Sequence, residues 1–508
     1  ALSMAKSGKK SAKPDVQLPV TPPFEEDIIK SIQNKGSKPL FDANIRIVVS
    51  ADDQPRADQL LNDVAGAFVQ FSSPDMNSLG MTKVHSRALN KLLFNFSFRL
   101  FNNFHSNVLS TEELTSLFHF PLATTFAPRI KFLKSKLSEP PPHLPQEGVV
   151  LGRNIFRGVQ SVIRMTKADR RRHFYLLGQT GTGKSTLMEN VAYQDILNGD
   201  GVAFVDPHGT AIERILGLIP QARANDVIVF DPADIIKPMG LNMLEFDPRF
   251  PEQKTFIVNE LLSIFQKLFL AETMGPMFDQ YFRNAVLLLL DDYANEIPTL
   301  LNIPRVLTDE TYRKDKLTRE TNPIVKNFWE LEAEKAGGEA ALANMAPYIT
   351  SKINGFIANE YLRPILSAKK SSFNFREVMD QNKILLVNLA KGRIGDINAN
   401  LLGMLIVGKL LMAALSRVDV PEEQRNDFYL YIDEFQNFTT DSISTILAEA
   451  RKYRLDLIVA NQFIKQLNEK IRDAVFGNVG SMAVFRVGAD DAEYLKNQFE
   501  PVFSPQDL

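Results

Sequence analysis

The stretch "HFYLLGQTGTGKSTLMENV", residues 173–191, constrains this chain more than any other. An apolar run leads straight into Gly178, Gln179, Thr180, Gly181, Thr182, Gly183, Lys184, Ser185 and Thr186, and a helical pattern follows. This is G-x-x-x-x-G-K-[ST] with the strand before it and the helix after it that the motif needs. Glycines let successive backbone N–H groups turn inward on phosphate oxygens, and the start of the helix adds its positive dipole end. Lys184 is expected to reach the β- and γ-phosphates and the Ser185 hydroxyl to ligate Mg²⁺. The loop predicts a bound nucleoside triphosphate, ATP or GTP, but not what its hydrolysis drives.

A phosphate loop needs a second strand ending in a carboxylate that holds the metal, and "FYLYIDEFQNF" supplies Asp433. Glu434, one residue on, is placed to polarise an attacking water as general base. "LDLIVANQF" reads as the next strand, ending at Asn461 and Gln462, where an amide can hydrogen-bond the γ-phosphate or the water. In "VDPHG", Asp206 and His208 either face the nucleotide or form the turn. Two arginines either reach a neighbouring subunit's γ-phosphate or are ordinary surface charges: Arg172, before the loop strand, and Arg451, in "AEARKYRL". The run "KADRRRH", residues 167–173, is either a contact to a nucleic-acid backbone or a solvated face.

At 508 residues the chain is too long for one ordinary domain. Lys and Arg total 58 against 60 Asp and Glu, so any nucleic-acid surface must be local. Cysteine is absent, which removes disulfides, thiol nucleophiles and cysteine-based zinc sites together and fits a reducing compartment. The longest apolar segment, Leu401 to Leu415, carries Lys409 and reads as a buried helix. Residues 1–37 read as a disordered tail or linker. Residues 38–128 read as a small α+β domain, with a strand at Asp42–Asp52 and a helix at Gln54–Phe71. The proline-rich 129–150 reads as a stiff linker. Beyond it, short apolar runs alternate with helical patterns: "FYLLG", "GVAFVD", "DVIVFD", "KILLVNLA", "FYLYIDE", "LDLIVANQ" and "SMAVFRV". Runs this apolar predict a mainly parallel sheet flanked by helices. The motor occupies 151–250 and 381–508, interrupted by an all-helical insertion over 251–380.

These motifs, in the order "RRHFYLLGQTGTGKSTL", "GVAFVDPHG", "DVIVFDPAD" with "GLNMLE", "VNLAKGRIGD", "YIDEFQNF" and "ARKYRLDLIVANQ", resemble the motor domain of type IV secretion and conjugation ATPases. That group includes the TraD and TraG coupling proteins, within the HerA and FtsK group of RecA-like P-loop translocases. The resemblance runs from about Val149 to Leu508. It implies a homo-hexameric ring that hydrolyses ATP with Mg²⁺ to pump single- or double-stranded DNA through a central channel. It also implies that Arg172 and Arg451 reach across subunit interfaces. Relaxosome or secretion-apparatus proteins are the implied partners. The implied location is the cytoplasm, at the inner face of the cytoplasmic membrane, held there by partners or by an anchor outside this sequence. Coupling proteins carry N-terminal transmembrane helices that this sequence does not show, and relatives continue past "FSPQDL". Thr210 stands where many have an acid. "LSTEELTSLFHFPLATT", Leu109 to Thr125, is similar instead to the accessory domain of the branch that powers apparatus assembly. An assembly ATPase acting on protein partners and a HerA-like DNA-processing translocase are therefore the alternatives. A third is a nucleotide-gated scaffold with negligible turnover, against which Glu434 argues.

Overall fold

All seven apolar runs become strands of one sheet. In the computed structural model, which describes residues 23–72, 78–118, 136–269, 271–333, 335–337 and 341–508, the chain divides into two compact units, Ala1–Phe132 and Leu133–Leu508. In the first unit, α1 (Pro23–Gly36) is followed by β1 (Leu40–Ala43), α2 (Gln54–Ala67), α3 (Ser86–Ser97), β2 (Asn107–Ser110) and α4 (Thr111–Leu117). β1 and β2 pair antiparallel.

Two expectations fail here. Residues 23–36 form a helix where a tail was expected. Proline fits at its start, glycine closes it, and Lys35 pairs with Glu113 at 3.0 Å, which ties it to the small domain. Residues 1–22 of that tail lie outside the described residues. The strand expected over Asp42–Asp52 stops at Ala43, because β2 offers only four residues to pair with. β-branched sequence without a partner does not make a strand. Beyond it, the Asn44 and Arg46 side chains take the backbone carbonyls of Asn102, His105, Asn95 and Leu100. Residues 119–135, which hold parts of the linker and of Leu109–Thr125, lie outside the described residues.

The second unit opens with an antiparallel hairpin that the sequence reading missed, β3 (Val149–Phe156) and β4 (Val159–Met165). Its tip places Arg157 and Gly158 at φ 49° and 84°, the positive values of a two-residue hairpin turn. Gln194 grips Val150 at both its N–H and its carbonyl, so the hairpin is fixed to the helix after the phosphate loop.

The short α5 (Lys167–Arg170) leads to β5 (Phe174–Leu177), α6 (Lys184–Leu197), β6 (Gly201–Asp206), α7 (Thr210–Leu218) and β7 (Val227–Phe230). The chain between β7 and the next strand is helical throughout its described elements. The first of these helices are α8 (Gln253–Leu268), α9 (Pro276–Asp291), α10 (Asn302–Thr308) and α11 (Glu310–Arg319). After α12 (Pro323–Asn327) and a π-helical turn come α13 (Leu342–Ile357), α14 (Leu362–Leu366) and α15 (Phe375–Asp380). The sheet then resumes with β8 (Ile384–Asn388). After α16 (Lys391–Ile394) and α17 (Asp396–Leu415) come β9 (Phe428–Ile432), β10 (Leu455–Asn461) and β11 (Ser481–Val484). Strand order is β11-β5-β10-β9-β6-β8-β7, and every pair is parallel.

Alternation along these strands feeds two cores. Phe174, Leu176, Val202, Phe204, Tyr429 and Tyr431 face α6 and α7, whose Met188, Val191 and Ile212 cover them. Tyr175, Leu177, Ala203, Val205, Leu430 and Ile432 face the other way, in the cluster that also takes in α8, α9, α13 and α17. α17 is long and apolar enough to cross a membrane, yet it is buried in that core, which is why it is apolar on every side.

Candidate nucleotide site

In a parallel sheet the groups available to a ligand gather at the carboxyl ends of the strands, and three strands deliver them here. β5 runs into the loop Gly178–Gly183, which needs glycine because Gly181 and Gly183 stand at φ 76° and 110°. β9 ends in Asp433 and Glu434. It is not the neighbour of β5: β10 lies between them and carries Gln462 to the gap. The C-terminal edge therefore collects the loop, the acidic pair and one amide from segments more than 270 residues apart.

Ser185 Oγ donates to Asp433 Oδ2 at 2.8 Å, joining residues 248 positions apart. Asp433 also accepts from the Glu434 backbone N–H at 2.9 Å. Burial pushes the Asp433 carboxyl up, against these hydrogen bonds and with the help of nearby Glu434 and Asp206. Lys184 is buried too, which pushes its ammonium down, and it donates only to the carbonyls of Gly178 at 2.6 Å and Gln179 at 3.1 Å. An under-neutralised buried carboxylate and an ammonium resting on carbonyls are a site shaped for a cation and an anion respectively. Between them lies an open cleft of about 220 Å³, lined by loop residues from Thr180 to Thr186 with Asp433 and Glu434. Hard oxygen donors at Ser185 and Asp433 suit Mg²⁺, and the loop suits phosphates.

Glu434 is held on both sides. Its Oε1 accepts from Gln462 Nε2 at 2.8 Å and its Oε2 from Gln436 Nε2 at 2.6 Å. Its backbone sits at φ 50°, a conformation that costs a non-glycine residue of order 1 kcal/mol and that surrounding contacts must sustain. Gln436 was not singled out from the sequence. Neither were Phe485, whose ring lies over Gly183, and Arg486, whose carbonyl accepts from the Gln179 N–H at 2.9 Å. Only the sheet order makes the β11 exit a neighbour of the loop, so no local signal marks these residues.

Asp206 forms the turn: its carboxylate accepts from the His208 and Ala211 N–H groups, both at 2.8 Å, while His208 is exposed. Three cations of "KADRRRH" are paired inside the chain. Arg170 is buried against Asp195, Tyr431 and the Tyr429 ring; Arg171 is bidentate to Asp427; Lys167 meets Asp200 at 2.7 Å. Arg170 and Arg171 of that run are structural, while Lys167 and Arg172 stay exposed on its outer side. Arg172 and Arg451 are exposed and precede β5 and β10, at the amino edge of the sheet. β10 has seven residues, about 3.3 Å each, so Arg451 stands roughly 20 Å from the chain's own cleft, and Arg172 lies on the same edge before the four-residue β5. Arg172 packs on Gly480, where a Cβ would come within 2.6 Å of its own Cβ.

A phosphate loop after one strand of a parallel sheet, and an acidic pair ending the next strand but one, define an α/β P-loop NTPase domain of the RecA-like kind. Solved structures with this architecture include the bacterial conjugative coupling protein TrwBdeltaN70 in a trigonal form with sulphate. It matches at TM-score 0.51 and 18% identity, over 74% of this chain and 84% of that one. The plasmid coupling protein TrwB in complex with ADP and Mg²⁺ matches at TM-score 0.49 and 18% identity, over 70% and 79% of the two chains. VirB4 of Thermoanaerobacter pseudethanolicus matches at TM-score 0.45 and 13% identity, over 72% and 89%. The first of these shows a shared fold. No protein-family model and no curated protein sequence matches the chain.

Proposed function

We propose that the chain is a P-loop ATPase that works as a homo-hexameric ring and uses ATP hydrolysis to move DNA through a central pore in conjugation or type IV secretion. The observation that carries the hydrolytic part is the Ser185–Asp433 hydrogen bond at 2.8 Å, with Glu434 held beside it at the mouth of the phosphate loop. A turn that merely happened to be rich in glycine would not need a buried carboxylate brought to it from across the sheet. The fold shared with a conjugative coupling protein directs the reading toward DNA transfer. On this reading the partners are DNA and relaxosome or secretion-apparatus proteins, and the chain works at the inner face of the cytoplasmic membrane.

Bound Mg²⁺-ATP supplies the electrophilic phosphorus and the charge that the site lacks. Ser185 Oγ and Asp433 would hold the metal, and the backbone N–H groups of Gly178 to Thr186 would hold the phosphate oxygens. Lys184 leaves its two carbonyls for the phosphates, as a point charge on a flexible stem. Glu434 orients the attacking water and accepts its proton on a carboxylate oxygen. Gln462 donates to Glu434 and so helps to hold that base, which lines the cleft. Arg172 and Arg451 serve the neighbouring subunit's nucleotide.

Steady-state hydrolysis with and without DNA, at low salt, tests this. Lys184→Ala and Glu434→Gln are each expected to lower turnover at least ~100-fold, with Glu434→Gln still binding nucleotide, and DNA to stimulate the parent chain. An active ATPase indifferent to all DNA would move the reading to apparatus assembly on protein partners. Negligible parent turnover, unchanged by Glu434→Gln, would make the chain a nucleotide-gated scaffold.

A further inference from the structure

Glu434 is gripped by two amides, and only Gln462, just past the end of β10, belongs to the site as the sequence defines it. The other, Gln436, sits in the 3₁₀ turn Phe435–Asn437, donates to Glu434 Oε2 at 2.6 Å, and has a buried Oε1 that accepts no hydrogen bond. Among the described residues its side chain bonds to the glutamate alone. Its backbone is committed elsewhere. The carbonyl of Gln436 accepts from Thr439 Oγ1 at 3.2 Å, and that hydroxyl accepts from Lys267 Nζ at 3.4 Å. One residue on, Thr440 Oγ1 donates to Glu260 Oε1 at 2.8 Å. Lys267 and Glu260 both lie on α8, the first helix of the insertion. Thr439 and Thr440 are buried, as are Phe435 and Phe438, and Phe438 packs so tightly on α17 that a Cβ at Gly403 would lie 2.3 Å from its ring. The turn is therefore pinned at its apolar side by the core and at its polar side by α8, with little freedom of its own.

We propose that Gln436 is a positioning residue for Glu434, and that α8, through the Thr439 and Thr440 hydroxyls, sets where Gln436 stands, so that displacement of the helical insertion changes the aim of the hydrolytic carboxylate. This rests on the reading of Glu434 as the base. The terminal torsion of a glutamate is broad and holds no one orientation by itself, and two amide donors on the two oxygens supply it. Loss of one donor frees the group to rotate. A misplacement of about 1 Å at a reacting group costs up to about 100-fold in rate while leaving substrate binding intact.

The test is kinetics of the full chain with nucleotide affinity measured separately. Gln436→Glu keeps size and shape but has no N–H to give; Gln436→Leu removes polarity; Gln436→Asn keeps a donor one methylene short. Turnover is expected to fall about tenfold or more in the Glu and Leu variants, with KM and nucleotide affinity within about twofold of the parent, and to recover in part with Asn. Thr440→Val, which preserves bulk and deletes the hydroxyl, is expected to lower turnover about threefold, again with binding unchanged. Equal turnover in the parent and Gln436→Glu overturns the positioning role. Unchanged turnover in Thr440→Val overturns the link to α8. A parent chain whose hydrolysis survives Glu434→Gln removes the underlying reading instead, a result distinguishable from either.

Discussion

At the scale of single residues, the site is a set of charges awaiting their partners. Asp433 is buried near Glu434 and Asp206 and carries a carboxyl pushed up by desolvation, while Lys184 is buried against carbonyls and carries an ammonium pushed down. A cation between Ser185 and Asp433 reverses the first effect, since opposite charge favours the ionised carboxylate. Metal binding must therefore release a proton from Asp433 as pH falls into the range where that carboxyl is protonated, and Mg²⁺ affinity weakens toward acid pH. Asp433→Asn is expected to abolish this dependence and to lower Mg²⁺-dependent turnover ~100-fold or more, because an amide offers one neutral oxygen where the metal wants charge. Ser185→Ala is expected to cost less, about tenfold, by removing one neutral ligand. Titrating Mg²⁺ at fixed ATP from neutral toward acid pH reads both. A pH-independent Mg²⁺ response in the parent chain would contradict the assignment of Asp433.

At the scale of elements, α17 shows what the sheet's helical cover tolerates. Lys409 stands in the middle of this buried helix, its Nζ donating to the Glu245 carbonyl at 2.5 Å, and burial brings its pKa from 10.5 down to about 8. The sign follows from which state binds more protons. Between pH 8 and 10.5 the unfolded chain keeps the proton that the folded chain has shed, so stability rises with pH across that window; below it, the penalty for burying the charge is present in full. Lys409→Met removes the penalty, which the shift bounds at about 3 kcal/mol, and leaves one carbonyl unpaired at a cost of about 1–3 kcal/mol. The variant is expected to unfold at the same or a higher temperature at pH 7 and to lose the parent's rise between pH 8 and 10.5. A parallel rise in parent and variant would place the titration elsewhere.

This helix was legible as buried because it is apolar on every side with one lysine inside, and the seven core strands were legible because both their faces are apolar. The hairpin Val149–Met165 was missed because its exposed alternation follows a proline-rich stretch. The strand at Asp42–Asp52 was overcalled because propensity carries no information about a partner. Lys184, Ser185, Asp433 and Glu434 announced themselves by motif, since phosphate and metal chemistry fixes residue type at fixed spacing. Gln436, Phe485 and Arg486 did not, because their place at the site comes from sheet order and from a turn, which no spacing encodes.

At the scale of the whole molecule, the two arginines at the amino edge of the sheet bear on whether the chain acts alone. Arg172 and Arg451 stand at the edge of the sheet opposite the chain's own cleft, both are exposed, and no hydrogen bond within the described residues engages either guanidinium. Exposed guanidiniums at one edge and an open cleft at the other are what a head-to-tail assembly requires, in which each interface joins unlike surfaces and closes into a ring. The arrangement has a consequence that a monomer cannot imitate. Arg451→Ala leaves a subunit with an intact cleft and no arginine to lend, whereas Lys184→Ala leaves one with an arginine to lend and a cleft that cannot work. Each variant alone is expected to lose most of its hydrolysis, by 10²-fold or more in keeping with the worth of an arginine supplied in trans. Mixed at equal concentration, they form interfaces at which the arginine of one faces the cleft of the other, and hydrolysis should return to a sizeable fraction of the parent's. Arg172→Ala is expected to complement in the same way. Full activity in Arg451→Ala and Arg172→Ala alone, or no recovery on mixing while the subunits still co-assemble, would mean that the γ-phosphate is served from within one chain.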